Sequence, residues 1–118
     1  GDFLFFSTQV AAGPDGVEPS LLPHPELPFS VDPARLQVER MFDSMASLCE
    51  AAGTSLRSLC QVKEFYQDLS AFPSVRAEWA ERFGDEPPAS TSVEVGGPLI
   101  APDCLLLMDA IGYAPSAD

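Results

Sequence analysis

The chain has 118 residues, enough for one domain with one hydrophobic core but too few for two. Its 6 basic and 18 acidic residues give a net charge of -12, which repels phosphate backbones and argues against a nucleic-acid partner. No apolar run approaches the roughly 18 residues that span a membrane. The N-terminus has neither the basic region nor the long apolar region of a signal peptide, so we expect a cytoplasmic protein with no membrane partner.

Residues that could bind a metal are few and scattered. Cys49, Cys60 and Cys104 lie in three separate predicted elements without CxxC spacing, so we expect buried, reduced thiols and neither a disulfide framework nor a zinc site. His24 has no second histidine and no nearby cysteine with which to share a metal ion. The sequence therefore predicts no metal site.

The first 30 residues predict a strand, a turn and a loop. Residues 3–10 begin with four consecutive apolar side chains, which is typical of a strand buried on both faces. The Gly-Pro-Asp-Gly stretch at 13–16 predicts a turn. Four prolines between residues 18 and 30 exclude a helix or a ladder strand, so we expect a mobile surface loop that borders a binding cleft.

A long amphipathic helix follows the loop. Asp32 can cap its first turn, Pro33 suits the first helical position, and Gly53 can end the helix in a left-handed conformation. Apolar residues at spacings of three and four predict one buried stripe. The stripe contains Val38, Met41, Met45, Leu48 and Ala52, widened by Phe42 and Cys49.

The second half of the chain predicts a strand, a second helix and two further strands. The strand covers residues 59–66 and the helix residues 71–83, with Glu78 and Arg82 as an exposed pair one helical turn apart. The last two strands cover residues 90–95 and 104–111. This order predicts a single α+β domain over residues 1–118, in which two helices pack on one face of a mixed sheet.

Four segments together form a specific pattern. They are QVERMFDSMASLCEAAG at 37–53, KEFYQDLSAF at 63–72, PPASTSVEV at 87–95 and LLLMDAIGYAP at 105–115. The pattern resembles the reactive intermediate deaminase superfamily, also called the YjgF/YER057c/UK114 group, from near residue 3 to near residue 113. The resemblance implies a first strand for which we expect no counterpart in this sequence, so that either the sequence is a fragment or the strand is supplied in another way.

The resemblance implies a chorismate-mutase-like fold that assembles as a homotrimer, with small-molecule clefts between subunits. It also implies hydrolysis of enamines or imines to carbonyl compounds and ammonia, without a metal or an organic cofactor. In that chemistry an arginine binds the substrate carboxylate, and a carboxylate on the last strand orients or activates water.

This chain departs from the family pattern at its site positions. Asp109 stands where the family has glutamate and is the candidate catalytic residue. Ser90 replaces the carboxylate-binding arginine, and Arg76 replaces an asparagine. The resemblance implies the following substrate-binding candidates: Ser90, Thr91, Ser92, Arg76, Ser7 and Gln9.

The sequence leaves two functions open. The first is a divergent deaminase that uses Asp109 with hydroxyl groups from residues 90–92. The second is a non-catalytic trimer that binds a small metabolite or serves as a scaffold. Arg76 either supplies the anion-binding charge that Ser90 does not have or is a solvated surface residue, since it lies about 100° from the apolar stripe of its helix.

Overall fold

The computed structural model describes residues 1–13, 15–23, 26, 31–99 and 103–115. Its main sheet has four strands in the order β1-β6-β4-β5, with β4 and β5 parallel and the other pairs antiparallel. Two α-helices pack on one face of this mixed sheet, which confirms the predicted α+β class. The elements are β1 (Asp2–Gln9), β2 (Ala12–Gly13), β3 (Gly16–Val17), α1 (Pro33–Ala51), β4 (Leu59–Tyr66), α2 (Phe72–Phe83), β5 (Ala89–Glu94) and β6 (Leu106–Ala114).

The ends of α1 follow the predicted capping chemistry. Asp32 is the N-cap, and its Oδ1 accepts a hydrogen bond from the backbone N–H of Arg35 at 3.3 Å. Pro33 takes the first helical position, where its missing N–H has no consequence. Gly53 has a φ of 82°, a conformation that favours glycine just after a helix ends.

The core lies between the helices and the inner face of the sheet. Phe42 of α1 makes edge-to-face contacts with Trp79 and Phe83 of α2, with ring centroids 6.0 and 5.5 Å apart. The predicted stripe of α1 is shorter than expected, because Leu48 is 50% exposed and Ala52 lies beyond the helix on the surface. The fully buried positions of the stripe are Val38, Met41, Phe42, Met45 and Cys49.

Two burial predictions are wrong, one because helices cover only one face of the sheet and one because the strand register is irregular. Strand β1 is not buried on both faces: Phe3 and Phe5 are 61% and 77% exposed, because the helices cover only the other face. Cys60 is exposed, unlike Cys49 and Cys104. It lies where the register between β4 and β6 becomes irregular, between Leu59 and Gln61.

The described residues between β1 and α1 include two short strands and one helical turn. Strands β2 and β3 pair around the predicted turn. Pro19–Leu21 forms a 3-10 turn that buries Leu21 in the core. His24, Pro25 and residues 27–30 lie outside the described part of the chain. None of the described loop residues lines the groove beside Asp109, which is described in the next subsection. The loop was expected to border the binding cleft, and its described residues do not border this groove.

Glu78 is the centre of an ion-pair network between the helices. It was predicted to be exposed, but its side chain is almost fully buried between α1 and α2. Its carboxylate accepts hydrogen bonds from Arg35 Nε at 2.8 Å and Arg82 Nε at 2.7 Å. The helical period places residue 78 between the two helices, where a buried carboxylate needs such partners.

Replacing Phe42 by alanine is expected to lower the free energy of unfolding by about 3–5 kcal/mol, because it leaves a cavity between both helices and the sheet. Leu48→Ala on the same helix is the control and should change stability by about 0.5 kcal/mol, because Leu48 is half exposed. Urea unfolding followed by circular dichroism measures both. Equal losses in the two variants would contradict the assignment of the core to this face of α1.

Candidate functional site

One row of polar side chains crosses the open face of the sheet, the face without helices. Side chains on a strand alternate between the two faces, and residues opposite each other on neighbouring strands share a face. Lys63 of β4 is the register partner of Asp109 on β6 and of Thr91 on β5. These three residues therefore lie side by side, and Phe5 and Ile111 are neighbours on the same face.

The pairing of β1 with β6 has a β-bulge opposite Asp109. Phe6 pairs with Ala110 and Gln9 pairs with Met108, so two residues of β1, Ser7 and Thr8, face one residue of β6. Such a bulge bends the strand and changes the direction of its side chains. Bulges are common beside active sites for this reason, and this one brings two hydroxyl side chains to Asp109.

A groove of about 380 Å³ follows this row on the open face. Its size is in the range of small-molecule sites. It combines an apolar floor with one carboxylate, one amine, one amide and two hydroxyls. The lining residues, which we call the open-face groove, are Phe5, Phe6, Ser7, Thr8, Gln61, Lys63, Asp109, Ala110 and Ile111.

A second polar cluster lies on the helical side of the sheet around Glu64, which is fully buried. Its Oε2 accepts a hydrogen bond from Trp79 Nε1 at 2.9 Å. Its Oε1 accepts hydrogen bonds from the hydroxyls of Ser92 at 2.8 Å and Tyr66 at 3.2 Å. Burial, with the nearby charge of Glu64, raises the pKa of Tyr66, so the phenol stays protonated and remains a donor.

Arg76 belongs to this second cluster. Its Nη2 lies 3.4 Å from Glu64 Oε1 and donates to Ser90 Oγ at 3.0 Å. The guanidinium also stacks over Trp79 and Phe72, at 4.3 and 4.9 Å from the ring centroids. Its charge is therefore directed at a buried carboxylate of the same chain.

The residues predicted to form one site lie in different places. Asp109, Ser7 and Thr91 are on the open face. Arg76, Ser90 and Ser92 surround Glu64 on the helical side. Gln9 lies in a smaller depression, of about 240 Å³, beside Leu48, and its amide donates to the carbonyl of Ser7 at 2.8 Å.

The sequence did not single out Lys63, Thr8 or Glu64. Lys63 and Thr8 become site candidates only through the register and the bulge, which the sequence alone does not reveal. Glu64 had a visible signal, because an acidic residue in an alternating strand at a core-facing position needs a partner.

The described part of the chain contains no group of three or more His, Cys, Asp or Glu residues that could hold a metal ion. Among the same residues, no helix is both long and apolar enough to cross a bilayer. The polar side-chain groups that line the open-face groove are one amine, one amide, two hydroxyls and one carboxylate.

No family model matches the chain. It is similar to a RutC family protein of Pyrococcus horikoshii, with 27% identity over 113 residues that cover 96% of this chain and 80% of that protein. It is also similar to the 3-aminoacrylate deaminase RutC of Acinetobacter baylyi, with 28% identity over 83 residues that cover 70% of this chain and 64% of that protein.

Solved structures of low sequence identity share the fold. A YjgF/YER057c/UK114 family member from Mycobacterium tuberculosis aligns with a TM-score of 0.73 and 21% identity, over 97% of this chain and 80% of that one. RidA from an Antarctic Psychrobacter aligns with a TM-score of 0.72 and 23% identity, over 97% and 82% of the two chains. The expected chorismate-mutase-like fold is confirmed.

Replacing Glu64 by glutamine is expected to destabilise the protein by about 1–3 kcal/mol, because an amide cannot accept hydrogen bonds at both positions that Glu64 uses. It also removes the charge opposite Arg76. Glu50→Gln on the exposed side of α1 is the matched control and should be neutral within about 0.5 kcal/mol. Urea midpoints that coincide for the two variants would show that the Glu64 cluster contributes no stability.

Proposed function

We propose, on the premise that the chain belongs to the reactive intermediate deaminase superfamily, that it hydrolyses an imine or enamine to a carbonyl compound and ammonia. One observation supports this proposal above the others: Asp109 lies in the open-face groove directly opposite the bulge at Ser7 and Thr8. The similarity to a relative named 3-aminoacrylate deaminase supports the same class of reaction.

In the proposed reaction Asp109 positions water and transfers its proton. The water oxygen attacks the imine carbon while the Asp109 carboxylate accepts a proton from that water. Asp109 returns that proton to the nitrogen, which gives a neutral carbinolamine. The carboxylate then accepts the hydroxyl proton of this adduct and passes it to the same nitrogen, the carbon–nitrogen bond breaks, and ammonia leaves as the carbonyl forms. An enamine first takes up a proton on carbon and reacts as the imine.

Hydroxyl groups on both sides of Asp109 complete the proposed site. We assign Ser7 and Thr8 to hydrogen bonds with the ligand from β1, and Thr91 to the β5 side of the same row. Ser90, Ser92 and Arg76 hold β5 against α2 and the buried Glu64. Their proposed contribution to the site is to position Thr91.

The proposed assembly is a homotrimer, in which the open face supplies the subunit contacts. Phe3, Phe5 and Tyr113 are exposed apolar side chains on that face, and Phe3 makes an edge-to-face contact with Tyr113. Such a contiguous apolar patch is typical of a subunit interface. We propose a cytoplasmic location because Cys49 and Cys60 are thiols, as a reducing compartment keeps them.

A second candidate is a trimer that binds a small metabolite without catalysis. One observation favours it: position 90 has no guanidinium, and the guanidinium of Arg76 faces Glu64 on the opposite side of the sheet. A site without the family's carboxylate clamp loses much of the positioning that accelerates the reaction.

Replacing Asp109 by asparagine is expected to reduce ammonia release at least 100-fold, because the amide cannot accept a proton from water. The assay is a panel of imines and enamines, with and without a carboxylate, followed by coupled detection of ammonia. Asp85→Asn is the matched control, since Asp85 is an exposed acid in the turn after α2. If the parent releases no ammonia above the uncatalysed rate from any panel member, the non-catalytic candidate replaces the deaminase.

The trimer predicts a molecular mass in light scattering three times that of the chain. Phe3→Asp should dissociate it, because the substitution places a charge in the proposed interface. Leu69→Asp should leave the mass unchanged, because Leu69 is an exposed apolar residue in the turn before α2. A parent protein that remains monomeric at micromolar concentration would contradict this assembly.

A further inference from the structure

Lys63 is the only basic residue that lines the open-face groove in the described part of the chain. It lies on β4, an inner strand of the sheet, where its backbone is paired on both sides. Its register partners are Asp109 and Thr91, so its Cβ is about 5 Å from that of Asp109. The amine on its flexible stem can therefore reach any small molecule that contacts Asp109.

The charge distribution makes this lysine unusual. The chain has 6 basic residues against 18 acidic ones. Four of the basic residues form ion pairs within the described residues, namely Arg35, Arg40, Arg76 and Arg82. Lys63 and Arg57 form none of these pairs. Arg57 lies in the exposed turn before β4 and does not line the groove, so Lys63 is the groove's one basic side chain among the described residues and no ion pair compensates it.

The absence of an ion pair between Lys63 and Asp109 is consistent with a role in binding. A solvent-exposed cross-strand pair contributes only about 0–1 kcal/mol, since water screens it and ordering the lysine stem costs entropy. An anionic ligand in the groove can contact Lys63 and also accept hydrogen bonds from the hydroxyls of Ser7 and Thr8. It therefore has more partners there than Lys63 has in a pair with Asp109 alone. Without the lysine, the carboxylate of Asp109 would repel any anion from the groove.

We propose that Lys63 is the anion-binding residue of the open-face groove and selects ligands that have a carboxylate. Lys63 binds that carboxylate as a point charge, and Asp109 faces the neighbouring carbon, where the reaction occurs. This inference rests on the proposed function for the role of Asp109. On the open face Lys63 supplies the positive charge, since Ser90 is neutral and Arg76 lies on the helical side of the sheet.

Binding of pyruvate and of its uncharged methyl ester tests the proposal without turnover. Calorimetric titration of the oligomeric protein as purified is expected to show tighter binding of pyruvate than of the ester. Lys63→Gln should raise the Kd of pyruvate at least tenfold and change that of the ester less than twofold. Lys63→Arg should restore pyruvate binding to within about threefold of the parent, because it retains the charge.

Arg57→Gln is the matched control. It changes the net charge of the protein by the same amount as Lys63→Gln, but Arg57 lies outside the groove. It should leave both Kd values within twofold of the parent. If Lys63→Gln and Arg57→Gln weaken pyruvate binding equally, the proposal is overturned. The effect would then come from the net charge of the protein and not from a contact with Lys63. A parent that binds the ester as tightly as pyruvate would overturn it as well.

The outcomes separate this inference from the proposed function. If pyruvate binding depends on Lys63 while no imine releases ammonia, the anion site stands and the deaminase fails. If ammonia release depends on Asp109 but is equal for charged and uncharged imines and unchanged in Lys63→Gln, the deaminase stands and the anion site fails.

Discussion

Helices α1 and α2 pack on the same face of the sheet, so each strand directs alternate side chains to the helical layer and to the open face. On β4 this alternation sends Val62, Glu64 and Tyr66 into the core and leaves Lys63 on the other side. The core is complete with a single helical layer, because α1 and α2 together cover the inner face. The open face is therefore free to present an apolar surface and a polar groove.

The buried carboxylate of Glu64 is the most demanding polar group in this core. An unpaired charge there would cost several kcal/mol, and four donors from α2, from β5 and from β4 itself satisfy it. This requirement explains the position of Arg76, whose guanidinium is stacked over Trp79 and directed at Glu64. A cation in this arrangement is compensated, so it gives little attraction to an external anion.

Hydrophobic periodicity is a local property, and the features that depend on it alone were predictable. The bounds of β4 are those expected, and the capping of α1 by Asp32 follows from residue type. The site depends on long-range register, which single-strand patterns do not contain. Asp109 was identified only through a family resemblance, whereas Lys63 required the pairing of β4 with β6 to be known. Burial of Glu78 likewise depends on the contact between two helices.

The residues at positions 76 and 90 are coupled by the geometry of the helical side. Arg76 Nη2 donates to Ser90 Oγ at 3.0 Å, so the guanidinium already occupies the space beside that strand position. An arginine at 90 would share the face with Arg76, and the single carboxylate of Glu64 can neutralise only one of them. A serine at position 90 is compatible with the Glu64–Arg76 pair, because it adds no second positive charge beside it. The helical side therefore holds one cation that a buried carboxylate compensates, whereas Lys63 lies on the open face beside Asp109 and forms no such pair.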